Sequence, residues 1–233
     1  MLITRPEPGA ARTAKRLEAL GFDPARLPLT EIRPTCTQLP GEGDFDAVAI
    51  PSANAIRHAQ PSLLRAVAGL PVFAGGRRTA EAAAEAGLDD PTIGPGDGQG
   101  LATLMASRLA RDARVVYLCG RVRTRGFEET LRAAGIEATP VETYDTTVLD
   151  HTDEKLAGTL GSEAFDAVLL YSRVAAQALA KLTDRSVISP LLGRAAFICM
   201  SRRVAEPLYP FDGACIRIAA APDEEAMLAR LAA

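Results

Sequence analysis

Short apolar runs alternate with segments of helical periodicity along the whole chain. Examples of these runs are 46-DAVAI-50, 114-RVVYLCG-120 and 166-DAVLL-170. They lack a strict alternation of apolar and polar positions, which is typical of strands that are covered by helices on both faces. Gly21 and Gly135 follow helical segments as stop signals. The pattern therefore predicts an α/β protein with parallel sheets.

The order of these segments repeats within the chain. The stretch 45-FDAVAIPSANAIRHA-59 returns as 165-FDAVLLYSRVAAQAL-179, and 71-PVFAGGRRTAEAAAEAGL-88 is similar to 195-AAFICMSRRVAEPLYPFDG-213. Weaker similarities relate two more pairs of segments, 101–112 with 224–233 and 113–142 with 1–31. The repeat predicts an internal duplication that forms two similar sheets with a cleft between them.

Composition narrows the class of protein. The chain has 233 residues, 48% of them hydrophobic and 24% charged, and it contains no apolar run long enough for a membrane span. A net charge of −3 argues against a general nucleic-acid binder, because few phosphates could be neutralised. The N-terminal stretch MLITRP does not have the pattern of a signal peptide, which predicts a cytoplasmic protein without membrane partners.

Cysteine and histidine usage gives no indication of a metal site. The four cysteines are scattered and are expected to be free thiols in a reducing compartment: Cys36, Cys119, Cys199 and Cys215. The two histidines, His58 and His151, have no paired ligand spacing. We therefore expect chemistry without a metal.

Candidate binding residues lie in the turns that follow the predicted strands. Ligands of parallel sheets bind beyond the carboxyl ends of the strands, near helix N-termini with free N–H groups. Four hydroxyl residues occupy expected N-cap positions, and capping alone could explain each of them: Ser52, Thr79, Ser172 and Ser201. The run 94-GPGDGQG-100 fits neither a dinucleotide nor a phosphate-loop motif, so we interpret it as a flexible loop and predict no cofactor.

A set of loose motifs occurs in a fixed order from one end of the chain to the other. The motifs are 3-ITRP-6, 46-DAVAIPSANAI-56, 72-VFAGGRRTAEAAAEAG-87, 119-CGRVRTRGFEETLRAAG-135 leading to Tyr144, 166-DAVLLYSRVAAQAL-179 and 198-ICMSRRVAEPL-208. Taken together they resemble the uroporphyrinogen-III synthase family. The resemblance implies two doubly wound, flavodoxin-like domains with exchanged segments. Residues 1–33 and 148–233 would form domain 1, residues 36–143 domain 2, and stretches near 30–35 and 144–148 a two-stranded linker.

The resemblance also implies a cofactor-free, monomeric cyclising lyase of tetrapyrrole biosynthesis. Its substrate would be hydroxymethylbilane, a linear tetrapyrrole with eight carboxylates, which is closed with inversion of ring D through a spiro intermediate. Tyr144, on the linker, would protonate the leaving hydroxyl group. Substrate-binding residues would be Arg5, Ser52, Asn54, Gly76, Thr79, Gly120, Arg121, Arg123, Ser172 and Ser201.

Alternative interpretations remain open at this point. A tyrosine at a strand end is most often an amphipathic rim residue, so Tyr144 need not be catalytic. Each loop arginine can equally be a solvated side chain. The loop 120-GRVRTR-125 and Val204, which mirrors Thr79, depart from the family pattern. Two α/β domains around a cleft also describe a ligand-binding sensor without catalysis.

Overall fold

The computed structural model describes residues 1–35, 38–39, 44–210 and 215–231. The chain divides into two compact units: unit 1 is Met1–Glu31 with Thr147–Ala233, and unit 2 is Ile32–Thr146. Cys36, expected to be a free thiol, lies outside the described residues. The three cysteines within the described part of the chain are free thiols, and Cys119 and Cys199 are buried.

The described residues contain eleven strands and eleven α-helices. The strands are β1 (Leu2–Ile3), β2 (Ala25–Arg26), β3 (Thr30–Pro34), β4 (Ala47–Ile50), β5 (Val72–Ala74), β6 (Thr92–Ile93), β7 (Arg114–Gly120), β8 (Glu137–Val148), β9 (Ala167–Leu170), β10 (Ala196–Cys199) and β11 (Cys215–Ile218). The helices are α1 (Gly9–Ala19), α2 (Ala53–Arg57), α3 (Pro61–Val67), α4 (Arg77–Glu85), α5 (Gly98–Arg108), α6 (Gly126–Ala133), α7 (Asp153–Leu160), α8 (Arg173–Leu182), α9 (Ser189–Leu192), α10 (Arg202–Ala205) and α11 (Glu224–Leu228), with a 3₁₀ turn at Glu206–Leu208.

Each unit is built on a parallel sheet with the same strand order. The sheet of unit 1 has the order β11-β10-β9-β1-β2, and the order in unit 2 is β6-β5-β4-β7-β8, with β3 beyond β8 at the edge. The neighbouring strands are parallel from β11 to β2 and from β6 to β8. Strands that are related by the sequence repeat, such as β9 and β4, occupy equivalent positions. The prediction of an α/β protein with two similar parallel sheets is confirmed.

Both faces of each sheet are covered by apolar side chains. In β9, Val168 and Leu170 belong to one core cluster of unit 1, whereas Leu169 belongs to the cluster on the opposite face. In β7, Val116 and Leu118 face one cluster of unit 2, and Tyr117 faces the other. Successive side chains of a strand point to opposite faces, so a strand buried on both faces must be apolar throughout. This burial explains why the strands lack alternation in the sequence.

The strands β3 and β8 pair at the edge of the unit 2 sheet. The Thr35 N–H donates to the Thr143 carbonyl at 3.0 Å, and the Leu149 N–H donates to the Leu29 carbonyl at 2.9 Å. Residue numbers fall along one strand as they rise along the other, so the pair is antiparallel. These strands contain the stretches that were expected to serve as the linker.

The helix ends agree with the sequence signals in part. Gly21 and Gly135 follow α1 and α6 with φ of +84° and +79°, a backbone conformation that favours glycine, as predicted. The interpretation of residues 94–100 as a flexible loop is wrong in its second half. Asp97 accepts a hydrogen bond from the Gly100 N–H at 2.8 Å and caps α5, which begins at Gly98. An aspartate cap offsets the poor helix propensity of the two glycines.

No helix among the described residues has the length and apolar character required to cross a membrane. No group of three or more histidine, cysteine, aspartate or glutamate side chains is close enough to bind a metal ion, within the same ranges.

Candidate active site

The predicted site residues of unit 2 follow the carboxyl ends of its central strands. Ser52 comes after β4, Gly76 after β5, and Gly120 is the last residue of β7. The turns after β4 and β5 are in close contact: the Gly75 N–H donates to the Ile50 carbonyl at 2.8 Å, and a Cβ at Gly75 would meet the Pro51 carbonyl oxygen at 2.3 Å. The close approach of the two backbones therefore requires glycine at position 75. It also holds together the turns after β4 and β5, the first of which contains Ser52.

Tyr144 lies in β8 with its ring against the backbone of Gly120. A Cβ at Gly120 would come within 2.6 Å of Tyr144 Cζ and 2.9 Å of the phenol oxygen. The two residues are register partners at an irregularity in the β7–β8 pairing, and the Arg121 N–H donates to the Tyr144 carbonyl at 2.9 Å. Gly120 therefore leaves the space that the phenol ring occupies. Its predicted role as a binding residue is untested, but the structure gives it this steric role.

The phenol of Tyr144 is half-buried and lies near the Ser52 hydroxyl. Burial raises its pKa above the ordinary value of 10.0, and the nearby Ser52 hydroxyl opposes part of that rise. The phenol is consequently protonated at neutral pH. The imidazole of His58 lies beside it, with ring centroids 6.2 Å apart. Burial is the main reason that the pKa of His58 is lowered, so this imidazole is uncharged at neutral pH.

The two loop arginines already bind carboxylates of the chain. Arg121 pairs with Glu142 at 3.1 Å and Asp145 at 3.0 Å. Arg123 pairs with Glu128 at 2.9 Å and with Glu142 at 3.0 Å. Hydrogen bonds from Arg123 and Arg121 lower the pKa of Glu142. Any binding of a ligand carboxylate by these guanidinium groups therefore requires an exchange of partners or a shared bond.

The remaining predicted residues of unit 2 lie at two helix starts. Ser52 caps α2 and accepts a hydrogen bond from the Asn54 N–H at 3.3 Å, as predicted. The expectation that Thr79 caps a helix is wrong, because Gly76 is the extended residue that precedes α4 and Thr79 is buried in its first turn. Gly76 has no side-chain oxygen, so α4 begins without a side-chain cap.

In unit 1 the predicted residues lie at the equivalent edge of the other sheet. Ser172 follows β9 and accepts from the Ala175 N–H at 3.1 Å, which confirms the cap. Ser201 precedes α10 in an extended conformation like that of Gly76, but its side chain makes no capping hydrogen bond. Arg5 follows β1 and forms an ion pair with Glu224 at 3.1 Å.

Sequence reasoning missed three residues that contact the predicted ones. The ring of Tyr171 lies under the guanidinium of Arg5, and its centroid is 4.1 Å from Cζ of Arg5. The Tyr171 hydroxyl donates a hydrogen bond to Glu224 at 2.8 Å. His58 packs beside Tyr144. Tyr171 had a usable signal, since it directly precedes Ser172 in the repeated turn. Glu224 had none, because an acid in the first turn of a helix is ordinary.

The chain is similar to one family of known proteins over nearly its full length. The family model described as uroporphyrinogen-III synthase HemD matches residues 11–229. Uroporphyrinogen-III synthetase from Helicobacter pylori is similar in fold, with a TM-score of 0.63, 19% identity, and coverage of 89% of this chain and 91% of that one. A mutant uroporphyrinogen III synthase from Thermus thermophilus has a TM-score of 0.57, 16% identity, and coverage of 99% and 96%.

No curated protein sequence gave a significant match. The two solved structures show a shared fold, and the family assignment rests on the family model, which spans most of the chain. The expectation drawn from the ordered motifs is thereby confirmed. The chain belongs to the uroporphyrinogen-III synthase family of cyclising lyases in tetrapyrrole biosynthesis.

Proposed function

We propose that the protein closes hydroxymethylbilane to uroporphyrinogen III, with loss of one water molecule and inversion of ring D. The observation that carries the proposal is the phenol of Tyr144, which is half-buried against Gly120 and near Ser52 at the carboxyl edge of a parallel sheet. Parallel sheets usually bind their ligands at this edge, which supports a contact between the phenol and the bound substrate. No other ionisable side chain of the predicted set is a neutral proton donor.

The first chemical step needs only a proton donor. The pyrrole nitrogen of ring A expels the hydroxyl group, which leaves as water after it accepts a proton from Tyr144, and an azafulvenium cation remains. Burial keeps the pKa of Tyr144 above 10.0, so the donor form persists across the neutral range. When the ring has closed, the reacting pyrrole loses a proton, and the phenolate can accept it. The reaction then balances with water as the second product.

The second step is a problem of geometry. Attack from the unsubstituted carbon of ring D would give the type I isomer, whereas attack from the substituted carbon gives a spiro intermediate that fragments and closes again with ring D reversed. Selecting the second course requires the enzyme to hold the substituted carbon nearest the cation. Such positioning can contribute roughly 7–11 kcal/mol to a reaction between two bound groups. The fold must therefore bind the flexible chain at several of its carboxylates.

Hydrogen-bond donors at the sheet edges fit that requirement. In unit 2, α4 follows Gly76 without a side-chain cap, so its first N–H groups and the positive end of its dipole favour an anion. The hydroxyl groups of Ser52 and Thr79 and the amide of Asn54 belong to the same set of helix starts. We propose that these groups bind substrate carboxylates together with Gly120, Arg121 and Arg123 in unit 2 and Arg5, Ser172 and Ser201 in unit 1.

The organisation of the protein is part of the proposal. We propose that residues 1–33 with 148–233 and residues 36–143 fold as two domains joined by the linker stretches near 30–35 and 144–148, and that the protein acts as a monomer without a cofactor. Buried unpaired thiols at Cys119 and Cys199 suit a reducing compartment, which supports a cytoplasmic location.

The isomer composition of the product tests this function. Purified protein would be supplied with hydroxymethylbilane, and the products would be oxidised to porphyrins and separated. We expect the type III isomer to predominate, with the rate proportional to protein concentration. A buffer control gives the spontaneous type I isomer. The same type I product in the presence of active protein would refute the proposal.

A further inference from the structure

A nearly buried carboxylate lies at the centre of a polar network in unit 1. Glu224, the first residue of α11, is 5% exposed. Its oxygens accept hydrogen bonds from Arg16 at 2.7 Å, Arg5 at 3.1 Å, Tyr171 at 2.8 Å and Thr13. A buried carboxylate is strongly destabilising unless it is paired. Four donors from three other chain segments meet this requirement, so the network specifically accommodates one acid at this position.

The same network restrains the guanidinium of Arg5 on several sides. One face lies over the Tyr171 ring, 4.1 Å from Cζ to the centroid. The group also fills the space at Gly9, where a Cβ would approach Nε within 2.6 Å and Cζ within 3.0 Å. Nη1 donates to Glu224 and, at 3.3 Å, to Thr13. Arg5 is thus held by an acid, an aromatic ring and a glycine.

The Nε–Nη2 side of this guanidinium faces Gly9, which has no side chain; an added Cβ there would lie 2.6 Å from Nε and 3.1 Å from Nη2. Within the ranges that the structure describes, neither Nε nor Nη2 of Arg5 has a hydrogen-bond acceptor among its recorded partners. The Nε and Nη2 hydrogens form a planar fork that matches the two oxygens of a carboxylate. Two arginines and one glutamate also leave the network with one positive charge. The neighbouring acid Glu7 does not cancel this charge, since it pairs with Arg26 at 2.6 Å.

We propose that Glu224 is a positioning residue, which holds Arg5 so that its Nε–Nη2 edge binds one carboxylate of the substrate. The inference rests on the proposed function and extends it to a residue that does not touch the substrate. Burial by itself would raise the pKa of Glu224, but its hydrogen bonds and the charge of Arg5 together outweigh burial and lower the pKa, so the anion persists at neutral pH. The other partners of Glu224 lie on α1 and in the turn after β9. The packing of these elements in unit 1 therefore holds Glu224, which in turn orients Arg5.

A simple electrostatic role for Glu224 predicts the opposite result from a positioning role. Replacement of the glutamate by glutamine removes a negative charge close to Arg5, which by itself should strengthen the binding of an anionic substrate. If Glu224 orients Arg5, the same substitution should weaken binding, because the guanidinium loses its charged partner and samples other rotamers. The direction of the change in KM therefore distinguishes the two roles.

Steady-state kinetics of Glu224→Gln provide the test. We expect KM to rise about tenfold, the loss typical of one oriented charged contact, while kcat changes by less than about twofold. Glu225→Gln is the matched control, since Glu225 is the next residue of α11 and is exposed. In an Arg5→Gln background, Glu224→Gln should cause no further rise, because the two residues act as one unit.

A second variant leaves the carboxylate in place. Gly9→Ala would put a methyl group 2.6 Å from Nε of Arg5, so the side chain must move. We expect KM to rise as in Glu224→Gln, with α1 intact, since alanine favours a helix. This variant tests the binding of substrate by the Nε–Nη2 edge of Arg5, on which the inference depends, even if Glu224→Gln does not fold.

Two outcomes would overturn the inference. A lower KM in Glu224→Gln would show that the carboxylate competes with the substrate for Arg5. An unchanged KM in both variants, with only a lower thermal midpoint, would make the network purely structural. In each case a wild-type protein that still forms the type III isomer keeps the proposed function intact. Wild-type protein that forms only type I product would refute that function, and this inference with it.

Discussion

Gly120 is the position at which one added methyl group would disturb the phenol of Tyr144 directly. In Gly120→Ala the new Cβ would lie 2.6 Å from Cζ and 2.7 Å from Cε2 of the ring. Carbon atoms prefer a separation of roughly 3.5–4.0 Å, so the ring must move by about 1 Å. Overpacking of this kind destabilises a protein by about 1–3 kcal/mol. Misplacement of a catalytic group by about 1 Å can reduce the rate by roughly 10²-fold.

The assay would compare kcat for type III product with the free energy of unfolding in urea. Gly98→Ala is a suitable control in the same unit, because no atom lies within 4 Å of its added Cβ. We expect the control to keep the wild-type kcat. A second comparison uses Tyr144→Ala, in which the ring that collides with the methyl group is absent. In that background Gly120→Ala should cost much less stability than in the wild type.

The reasoning would be refuted by a Gly120→Ala variant with wild-type kcat and wild-type stability. It would also be refuted if the methyl group were equally destabilising with and without the Tyr144 ring, since the collision would then involve other atoms. A loss of stability without any loss of kcat would separate the packing of the ring from catalysis and would remove Tyr144 from the proposed mechanism.

Three other outcomes are expected. The pKa of Glu224 is lowered below 4.5 in the folded state. The difference in free energy of unfolding between wild type and Glu224→Gln should therefore be constant above about pH 5 and shrink as the pH falls below 4.5. A difference in urea midpoint that stays constant down to about pH 3 would contradict this. Gly158→Ala, in α7 with no atom within 4 Å of the new Cβ, should raise the free energy of unfolding by about 0.5–1 kcal/mol, and a lower thermal midpoint would contradict it. KM for hydroxymethylbilane should increase as salt rises from about 0.05 to 0.5 M, because several exposed charged contacts are screened, whereas a salt-independent KM would argue against carboxylate binding.

Sequence patterns were sufficient to predict the architecture because the duplication is visible in the strands and the turns. The related segments 45–59 and 165–179 each contain a buried strand, a serine cap and a helix, and their strands occupy the same place in the two sheets. Strand apolarity, cap residues and positive-φ glycines are local signals. They survive in a single sequence, so the fold class could be derived from them.

The sequence was less reliable in predicting which residue begins or caps a helix. Thr79 has the residue type of a cap, but Gly76 occupies the cap position, where an added Cβ would lie only 3.3 Å from Cα of Gly96. Asp97 caps a helix that begins with glycine, a residue that usually indicates a loop. Tertiary packing determined the outcome in the first example, and a single capping hydrogen bond did so in the second.

The partners of the predicted arginines could not be predicted at all. Arg5 meets Glu224, which is 219 positions away in the sequence, and Arg123 meets Glu142. Such pairs depend on which loops meet at the sheet edge, and no periodicity in the sequence records this. The sequence therefore predicted which residues carry positive charge at each edge. It did not predict that most of this charge is already balanced by acids of the same unit.

The kinetics of Tyr144→Phe test the central claim most directly, with Tyr209→Phe as a control because Tyr209 is 52% exposed. The substitution removes one hydroxyl group and keeps the ring in its space beside Gly120. We predict that kcat falls by about 10²-fold, at the low end for loss of a general acid because the leaving group ionises readily, and that the ratio to wild type stays constant between about pH 6 and 9. The control should keep the wild-type kcat. Wild-type kcat in Tyr144→Phe, with the type III isomer still formed, would contradict the assignment of the phenol as proton donor.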